Sequence, residues 1–457
     1  MKVIICGAGQ VGLNLATYLA KDRHDVTVID QSQDLINQLN EFQEVNAMLG
    51  HGASPDVLEK AGAKDADMLI AVTLIDEINM VACQIAHTLF NIPTKIARIR
   101  QQAYLMPQYG AIFHPEHVPI DHVIYPEVEV AKTIFRRVQI NGSFNSIELG
   151  PARVIGLHCT DKCPIINTPL RQLTSLFPDL SINVMAINRL GKIIFPKSRD
   201  QMLVGDIVYF LTDEAHIKRS MAAFGVELES TRRAIIVGAG NIGVNLARMM
   251  MDSDLGYRCK LIENNKDRAT TIAKQYPNLQ VINGDGLKSE IVHEAGLDKS
   301  DVTISVTDHD ETNILSSLLY KHMGVGRTVS LLNKGTFGGL VSQLGVDVII
   351  NPREITASSI LQFIRRGKIK AVHSLFDGMA ELMQIQAIES SNPIGNMIKE
   401  LHLPQNSIVG GIIRNNSLII PRPDTIIEAN DNVIILALSD EIKKIEKLFS
   451  VGIGYFA

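Results

Sequence analysis

The sequence predicts an α/β protein with two doubly wound parallel sheets, each followed by a smaller α+β domain. A glycine-rich segment at 7–16, GAGQVGLNLA, returns at 238–247 as GAGNIGVNLA, and each copy follows a short apolar run. Downstream, apolar runs alternate with segments of helical spacing, which is typical of parallel strands joined by crossover helices. We therefore expect four domains, at 1–139, 140–228, 229–370 and 371–457.

The first large domain is expected to alternate strands and helices. Near-continuous apolar runs predict buried parallel strands at 3–6, 26–29, 47–49, 68–72 and 95–99. Helical spacing predicts helices at 11–19, 35–42, 55–61 and 77–90, the third opening with Ser54 as cap and Pro55 in the first turn. The third domain repeats this order, since GHGASPDVLEKAG at 50–62 matches GDGLKSEIVHEAG at 284–296.

The two smaller domains have a different texture, with short β-branched runs separated by turns. They also match each other, because 184–196 parallels 409–421 and 203–210 parallels 428–435. Each is expected to end in an amphipathic helix, at 216–224 and 440–449. The chain therefore reads as a large and a small domain, repeated once.

Composition narrows the class of protein. The 457 residues are 46% hydrophobic and 20% charged, which is typical of a globular chain. A net charge of −5 gives no overall basic field, so nucleic acid is not an expected partner. No apolar run approaches the ~20 residues that span a bilayer, and the N-terminus enters a strand without a cleavable signal. We expect a soluble cytoplasmic chain with no transmembrane segment of its own.

Cysteines and histidines give no strong sign of a disulfide framework or a metal site. The five cysteines form no even framework, and the CxxxC at Cys159 and Cys163 lacks a second pair, so free thiols are expected. His114, His117 and His122 lie near Asp121 and could bind a metal, but the proline in that loop favours a surface turn. We expect no metal.

The glycine-rich segments have the residues that bind a diphosphate. Gly7 allows a tight turn, Gly9 lets backbone N–H groups approach the phosphates, and Gly12 lets the helix pack close to the strand. The helix N-terminus adds positive potential. Asp30 and Glu263 follow the second strand of each large domain. A carboxylate there accepts hydrogen bonds from ribose hydroxyls and repels a 2′-phosphate, which favours NAD(H) or an adenine nucleotide over NADP.

The candidate cofactor-binding residues form two equivalent sets. The first is Gly7, Ala8, Gly9, Gln10, Val11, Gly12, Asp30, Thr73, Leu74, Arg98 and Arg100; the second is Gly238, Ala239, Gly240, Asn241, Ile242, Gly243, Glu263, Asp285, Thr307 and Asp308. Thr73 and Thr307 close the fourth strands, at the edge where ligands of such sheets bind. Polar residues open the next helices and either cap them or contact ligand: Asp76, Glu77, Asn79, Asp310, Glu311 and Asn313.

The two sets differ in charge. Arg98 and Arg100 could clamp a phosphate, and they align with Leu332 and Lys334, so the second pocket is expected to be less basic. His51 likewise stands where the second copy has Asp285. The sequence therefore predicts two pockets with different ligand preferences.

Motifs of catalysis are missing from the sequence. No tight Ser/His/Asp, Cys/His or Tyr-x-x-x-Lys arrangement accompanies the glycine segments, and no phosphate-binding loop of the Gly-x-x-x-x-Gly-Lys type occurs. The smaller domains are poor in titratable clusters. We expect a nucleotide-binding protein that is not an enzyme, with an NAD-dependent oxidoreductase as the alternative.

The order of motifs resembles a known family. Gly7-Ala-Gly-x-x-Gly12, Asp30, Gly50-x-Gly52, Val72-Thr73 and Ala97-Arg-Ile-Arg100, then a small domain, then the whole again, is similar to the cytosolic NAD-binding subunits of Trk potassium uptake systems. Those subunits carry two tandem RCK (regulator of K⁺ conductance) units, and the resemblance covers essentially the whole chain.

The resemblance implies a Rossmann-type RCK N-domain and an RCK C-domain, each present twice. It implies NAD(H) as ligand, with ATP or ADP as further candidates. It also implies a homotetrameric gating ring, peripheral to the inner face of the membrane, that acts on a Trk-type potassium channel subunit. Pairing would use crossover helices at 127–138 and 355–364. A different RCK assembly, such as a soluble antiporter regulator, stays open.

Overall fold

The computed structural model describes residues 1–21, 23–41, 44–114, 116–176, 181–227, 232–333, 341, 344–364, 369–376 and 378–449. The chain forms two compact units. The first comprises 1–129 with 355–360, and the second comprises 130–354 with 361–457. Within the described residues, no helix is both long enough and apolar enough to span a bilayer.

A parallel sheet forms the centre of the first unit. Its strands are β1 (Lys2–Cys6), β2 (Asp25–Asp30), β3 (Asn46–Leu49), β4 (Met68–Ala71), β5 (Thr94–Arg98) and β6 (His122–Ile124), in the order β3-β2-β1-β4-β5-β6. The helices that follow its strands are α1 (Gln10–Lys21), α2 (Gln33–Asn40), α3 (Pro55–Lys60), α4 (Asp76–Thr88) and α5 (Pro126–Gln139). Ile5, Leu15 and Ile70 are fully buried between the layers. This is a Rossmann-type doubly wound sheet.

The first small domain contains an antiparallel sheet. It consists of β7 (Asn145–Leu149), β8 (Ala152–His158), β9 (Ile182–Arg189), β10 (Lys192–Ile194) and β11 (Ile207–Asp213), in the order β10-β9-β11-β8-β7. Two helices accompany it, α6 (Leu170–Leu176) and α7 (Ile217–Ala223). Cys159 and Cys163 are buried, free thiols in its core.

The second large domain repeats the parallel sheet. Its strands are β12 (Arg233–Val237), β13 (Arg258–Glu263), β14 (Gln280–Asn283), β15 (Val302–Ser305), β16 (Arg327–Leu331) and β17 (Val348–Ile350), in the order β14-β13-β12-β15-β16-β17. Its helices are α8 (Asn241–Met251), α9 (Lys266–Gln275), α10 (Ser289–Glu294), α11 (Asp310–His322) and α12 (Pro352–Ile364). The strand order is the same as in the first sheet, which confirms the predicted duplication of the α/β fold.

The second small domain repeats the antiparallel sheet. It consists of β18 (Ile369–Leu375), β19 (Ala380–Gln386), β20 (Ser407–Arg414), β21 (Ser417–Ile419) and β22 (Asn432–Leu438), in the order β18-β19-β22-β20-β21, with α13 (Ile442–Phe449) after it. Both small sheets contribute to one apolar core, which includes Met185 and Leu436. A Cβ at Gly410 would lie 2.3 Å from the Met185 side chain, so glycine allows this close packing.

The element boundaries differ from the predicted ones by a few residues. The helix predicted at 35–42 ends at Asn40, and Phe42 lies outside the described residues. The crossover helix predicted at 355–364 begins three residues earlier, because Pro352 fits the first helical turn. Strand β6 was not predicted, since three residues are too few to show a pattern.

Candidate functional site

The first glycine-rich segment forms a tight turn between β1 and α1. Gly7 has a φ of 111°, a conformation that other residues rarely adopt. A Cβ at Gly12 would lie 1.8 Å from the Gly7 carbonyl oxygen, so only glycine lets α1 approach this closely. A Cβ at Gly9 would have no neighbour within 4 Å. The middle glycine therefore borders open space, where the first N–H groups of α1 have no partner within the helix.

The second glycine-rich segment, between β12 and α8, has the same geometry. Gly238 has a φ of 106°, and a Cβ at Gly243 would lie 2.0 Å from the Gly238 carbonyl oxygen. Gly240 again borders open space. The remaining predicted residues of the two turns begin the helices: Gln10 and Val11 in α1, Asn241 and Ile242 in α8.

An acidic residue at the end of the neighbouring strand accepts a backbone hydrogen bond from each glycine-rich turn. Asp30 accepts hydrogen bonds from the backbone N–H groups of Ala8, at 2.6 Å, and Ser32, at 2.8 Å. Glu263 accepts a bond from the Ala239 N–H at 2.9 Å. Each carboxylate therefore lies beside the glycine-rich turn, at the carboxyl edge of its sheet.

We call the open space beside Gly9 the first cleft and that beside Gly240 the second cleft. A buried asparagine organises the opposite side of each cleft. Asn79 accepts bonds from the Thr73 N–H at 2.9 Å and the Thr73 hydroxyl at 2.7 Å, and donates to the Arg98 carbonyl at 2.8 Å. Asn313 makes the same set of bonds with Thr307 and Leu331. These asparagines therefore tie the ends of two strands together.

The aspartates that open α4 and α11 also bind backbone. Asp76 accepts bonds from the N–H groups of Arg100 and Gln101, and Asp310 accepts one from Asn333 at 2.8 Å. The residues between strand and helix are more open, since Leu74 is 75% exposed and Asp308 is also exposed. On this side, the threonines and these exposed loop residues stay the predicted ligand contacts.

The structure corrects the alignment of the two arginines. Asn79 binds the carbonyl of Arg98 whereas Asn313 binds that of Leu331, so Leu331 and not Leu332 is the counterpart of Arg98. By the same comparison Asn333, and not Lys334, is the counterpart of Arg100.

The physical reason for the shift is a shorter turn. Helices α4 and α11 have equal lengths, but the turn from α11 to β16 is one residue shorter than the turn from α4 to β5. Lys334 lies outside the described residues.

Arg98 and Arg100 share one carboxylate in the first large domain. The Arg98 guanidinium lies 3.3 Å and the Arg100 Nε 3.2 Å from Glu127 Oε1, at the start of α5. Burial lowers the pKa of Arg98 despite this pairing. Arg353 stands at the position of Glu127 in α12, where burial lowers its pKa and Asp310 raises it. The charge at this one helix position is therefore reversed between the two copies.

The turn after the third strand keeps its geometry although its residue type changes. His51 Nδ1 accepts a bond from the Ala53 N–H at 3.1 Å, and Asp285 accepts one from the Leu287 N–H at 2.9 Å. Both side chains therefore stabilise the same turn. Only the second adds a formal negative charge there at neutral pH.

Sequence reasoning missed one further residue at the second cleft. Arg268, in α9, donates from Nε to the Ala239 carbonyl at 2.9 Å. Its counterpart in α2 is Leu35, because both backbone N–H groups bind the side chain that caps their helix, Asn265 and Ser32 respectively. The aligned copies have leucine at 35 and arginine at 268, and this change was the signal in the sequence that could have identified Arg268.

Comparison with known proteins gives family matches to both large domains and to the second small domain. The TrkA-N domain family matches residues 3–126 and 234–352, and the TrkA-C domain family matches residues 382–450. A Trk system potassium uptake protein TrkA from Azorhizobium caulinodans is 43% identical over the full length of both chains. A protein of the same name from Halomonas elongata is 35% identical, again over the full length of both.

Solved structures share the fold at lower identity. The GsuK channel bound to NAD aligns with a TM-score of 0.58 at 17% identity, over 98% of this chain and 78% of that one. The GsuK structure bound to ADP aligns with a TM-score of 0.51 at 15% identity, over 79% of this chain and 69% of that one. These likenesses extend the tandem fold to a channel with very different sequence.

Proposed function

Because the chain belongs to the TrkA family of Trk-system potassium uptake proteins, we propose that it is a regulatory subunit that binds adenine nucleotides and controls a membrane potassium channel subunit. The observation that carries this proposal is the repeated cleft. In both large domains, an open middle glycine, a helix N-terminus and an acidic strand end occupy equivalent positions.

Each cleft would recognise NAD(H), ATP or ADP through its common part. The N–H groups at the starts of α1 and α8 would bind the phosphates, because a helix N-terminus attracts anions. Asp30 and Glu263 would accept bonds from ribose hydroxyls. Arg98 and Arg100 would contact a further phosphate in the first cleft. The NAD and ADP bound to the GsuK channel support this choice of ligands by analogy of fold.

The nucleotide would act as a signal and would not be transformed. The buried polar groups beside each cleft, Asp76, Asn79, Asp310 and Asn313, are engaged with backbone groups. We propose that four chains form a ring at the cytoplasmic face of the membrane, held there by the channel subunit. A nucleotide can shift such a ring between two shapes only by its difference in affinity for them.

Calorimetric titration of the full-length chain with NADH and ATP, with its mass in solution measured alongside, tests the binding and the assembly. We expect two nucleotides per chain and a tetramer. Potassium flux through liposomes that hold the Trk channel subunit, with and without this chain and nucleotide, tests the control. Absence of nucleotide binding, or flux that is unaffected by the chain, would contradict the proposal.

The alternative function, an NAD-dependent oxidoreductase, has its own test. Sustained oxidation of NADH in the presence of a panel of small carbonyl compounds would favour it. The proposal expects no turnover above the rate without protein.

A further inference from the structure

Arg268 is fixed against the second glycine-rich turn in a way that the first copy does not match. Its Nε donates to the Ala239 carbonyl at 2.9 Å, while the Ala239 N–H donates to Glu263 at 2.9 Å. The arginine therefore binds the carbonyl of Ala239, and the acid binds the N–H of the same residue. In the first copy the acid-to-turn bond is retained between Asp30 and Ala8, but the arginine position is Leu35.

The guanidinium of Arg268 has capacity for a ligand. The residue is exposed, and among the described residues no carboxylate lies within ion-pair distance of it. Only the Nε of its five-donor fork is used by the turn, so the plane and both terminal amino groups remain available. Because Nε is anchored to Ala239, this plane is held beside the glycine-rich turn.

We propose that Arg268 contacts the adenine base of a nucleotide in the second cleft, its guanidinium plane stacked on the purine. This inference rests on the proposed function, since it takes nucleotide binding there as given. With the phosphates on the turn and the ribose on Glu263, the base is the next group along the ligand. A guanidinium stacks favourably on flat aromatic rings, whereas Leu35 offers the first cleft only apolar contact.

The test isolates each cleft with a substitution that the fold tolerates. Gly9 and Gly240 have no neighbour within 4 Å of a built Cβ, so Gly9→Asp or Gly240→Asp adds a carboxylate in the space the phosphates need. The full-length Gly9→Asp variant then reports nucleotide binding to the second cleft, and for adenosine the second cleft is reported by the difference between the chains with and without Arg268. In it, Arg268→Leu should weaken binding of ATP, AMP and uncharged adenosine alike, by about 3- to 30-fold.

Reciprocal and conservative variants complete the test. In the Gly240→Asp variant, Leu35→Arg should strengthen adenosine and AMP binding to the first cleft. Arg268→Lys keeps the charge and loses the plane, so it should bind adenosine as weakly as Arg268→Leu does. Thermal unfolding of each variant checks that the fold is retained, and Leu35 itself shows that leucine fits this helix position.

Three results would overturn the proposal. Unchanged affinity of the Arg268→Leu variant for ATP, AMP and adenosine would show that Arg268 does not contact the ligand. Weakened AMP binding with unchanged adenosine binding would assign Arg268 to the phosphates, as would full recovery in Arg268→Lys. Failure of the Gly9→Asp chain to bind any nucleotide with Arg268 intact would instead contradict the proposed function of the second cleft.

Discussion

Two glycines of the same turn have opposite surroundings, which leads to a prediction at the residue scale. A Cβ at Gly12 would lie 1.8 Å from the Gly7 carbonyl oxygen, whereas one at Gly9 would meet nothing. Gly12→Ala should therefore lower the free energy of unfolding of the first large domain by about 2–3 kcal/mol, because overpacking forces the backbone apart. Urea denaturation measures this.

Gly9→Ala is the matched control for this prediction and should change the free energy of unfolding by less than about 0.5 kcal/mol. The pair Gly243→Ala and Gly240→Ala should behave the same way in the second copy, where the built Cβ lies 2.0 Å from the Gly238 oxygen. Equal stability of Gly12→Ala and Gly9→Ala would show that α1 has room to shift.

The shared carboxylate of Glu127 predicts competition with a ligand phosphate. Glu127 lies 3.3 Å from Arg98 and 3.2 Å from Arg100, so it neutralises part of the charge that a third phosphate would meet. In the Gly240→Asp variant, Glu127→Gln should strengthen ATP binding relative to ADP by several-fold. Arg98→Ala combined with Arg100→Ala should weaken ATP by about tenfold more than ADP.

Calorimetry of the same variants with both nucleotides gives these affinities. Arg353→Gln, in the second copy, serves as the control and should leave the first cleft unchanged. A ratio of ATP affinity to ADP affinity that is the same in all the variants would show that the two arginines do not recognise the third phosphate.

Sequence patterns predicted residues whose role is local and missed those whose role depends on distant elements. The glycines act within one turn, so their spacing was sufficient to predict that turn, whereas the ribose contact of Asp30 stays a prediction. The pairing of Arg98 with Glu127 depends on where α5 begins, and the counterparts of the arginines depend on a turn that is one residue shorter. Neither is visible in the sequence alone.

At the scale of elements, Asn79 joins α4 to the ends of β4 and β5. It is fully buried and bonds to Thr73 and to the Arg98 carbonyl. Asn79→Ala should destabilise the first large domain by about 2–3 kcal/mol, because it leaves buried backbone groups without partners. Hydrogen exchange of the β4 and β5 amides measures the loss.

Gln84 provides a control on the same helix. Among the residues that the structure describes, its side chain donates only to the exposed Thr88 hydroxyl, at 3.0 Å, so Gln84→Ala should cost less than about 0.5 kcal/mol. Similar exchange rates in the two variants would contradict a structural role for Asn79.

Strand β19 has a buried carboxyl that makes its stability depend on pH. Burial, with Glu446 nearby, raises the pKa of Glu381 to about 8. The folded state therefore keeps a proton that the unfolded chain loses near pH 4.5. The contribution of Glu381 to the free energy of unfolding is fully present below pH 4.5 and is lost progressively as the pH rises through 8. We expect the β19 strand to lose about 2 kcal/mol between pH 6.5 and 8.5.

Hydrogen exchange of the β19 amides, corrected for the intrinsic rate at each pH, measures this loss. His373 lies on β18, in the same sheet. Burial lowers its pKa to about 4, so its protonation affects the free energy of unfolding mainly below pH 6.5, outside the range from pH 6.5 to 8.5. Glu381→Gln should flatten the profile. An unchanged slope in that variant would assign the pH dependence to other groups.

Elements with a long regular pattern were predictable, and short or irregular ones were not. The strands and helices of both large domains follow apolar periodicity, so their order was confirmed with boundary shifts of a few residues. Strand β6 is three residues long, and β7 and β8 were not distinguished from the surrounding β-branched segment. Only pairing within their sheets defines them.

At the scale of the whole molecule, the two copies retain ion pairs that support the fold and change residues that border the clefts. Arg189 pairs with Asp206 at 2.8 Å, and Arg414 pairs with Asp431 at 2.8 Å in the same place of the second small domain. By contrast, Glu127 becomes Arg353. The small domains therefore share this ion pair, whereas the large domains differ in charge at the start of α5 and α12.

This divergence predicts different nucleotide preferences of the two clefts. The Gly9→Asp and Gly240→Asp variants each leave one cleft intact, and we expect their ratios of ATP to NADH affinity to differ by tenfold or more. Calorimetry under one buffer and salt condition measures both ratios, since exposed charge contributions depend on ionic strength. Identical ratios would mean that the exchanged charges do not reach the ligand.

The tandem arrangement has an evolutionary consequence. In an assembly of identical single-unit chains, every mutation appears in all the sites at once, so one cleft cannot specialise without altering the others. Covalent linkage of the two copies in one gene removes this restriction and fixes their ratio at one to one. Leucine at 35 and arginine at 268 can then coexist in one polypeptide.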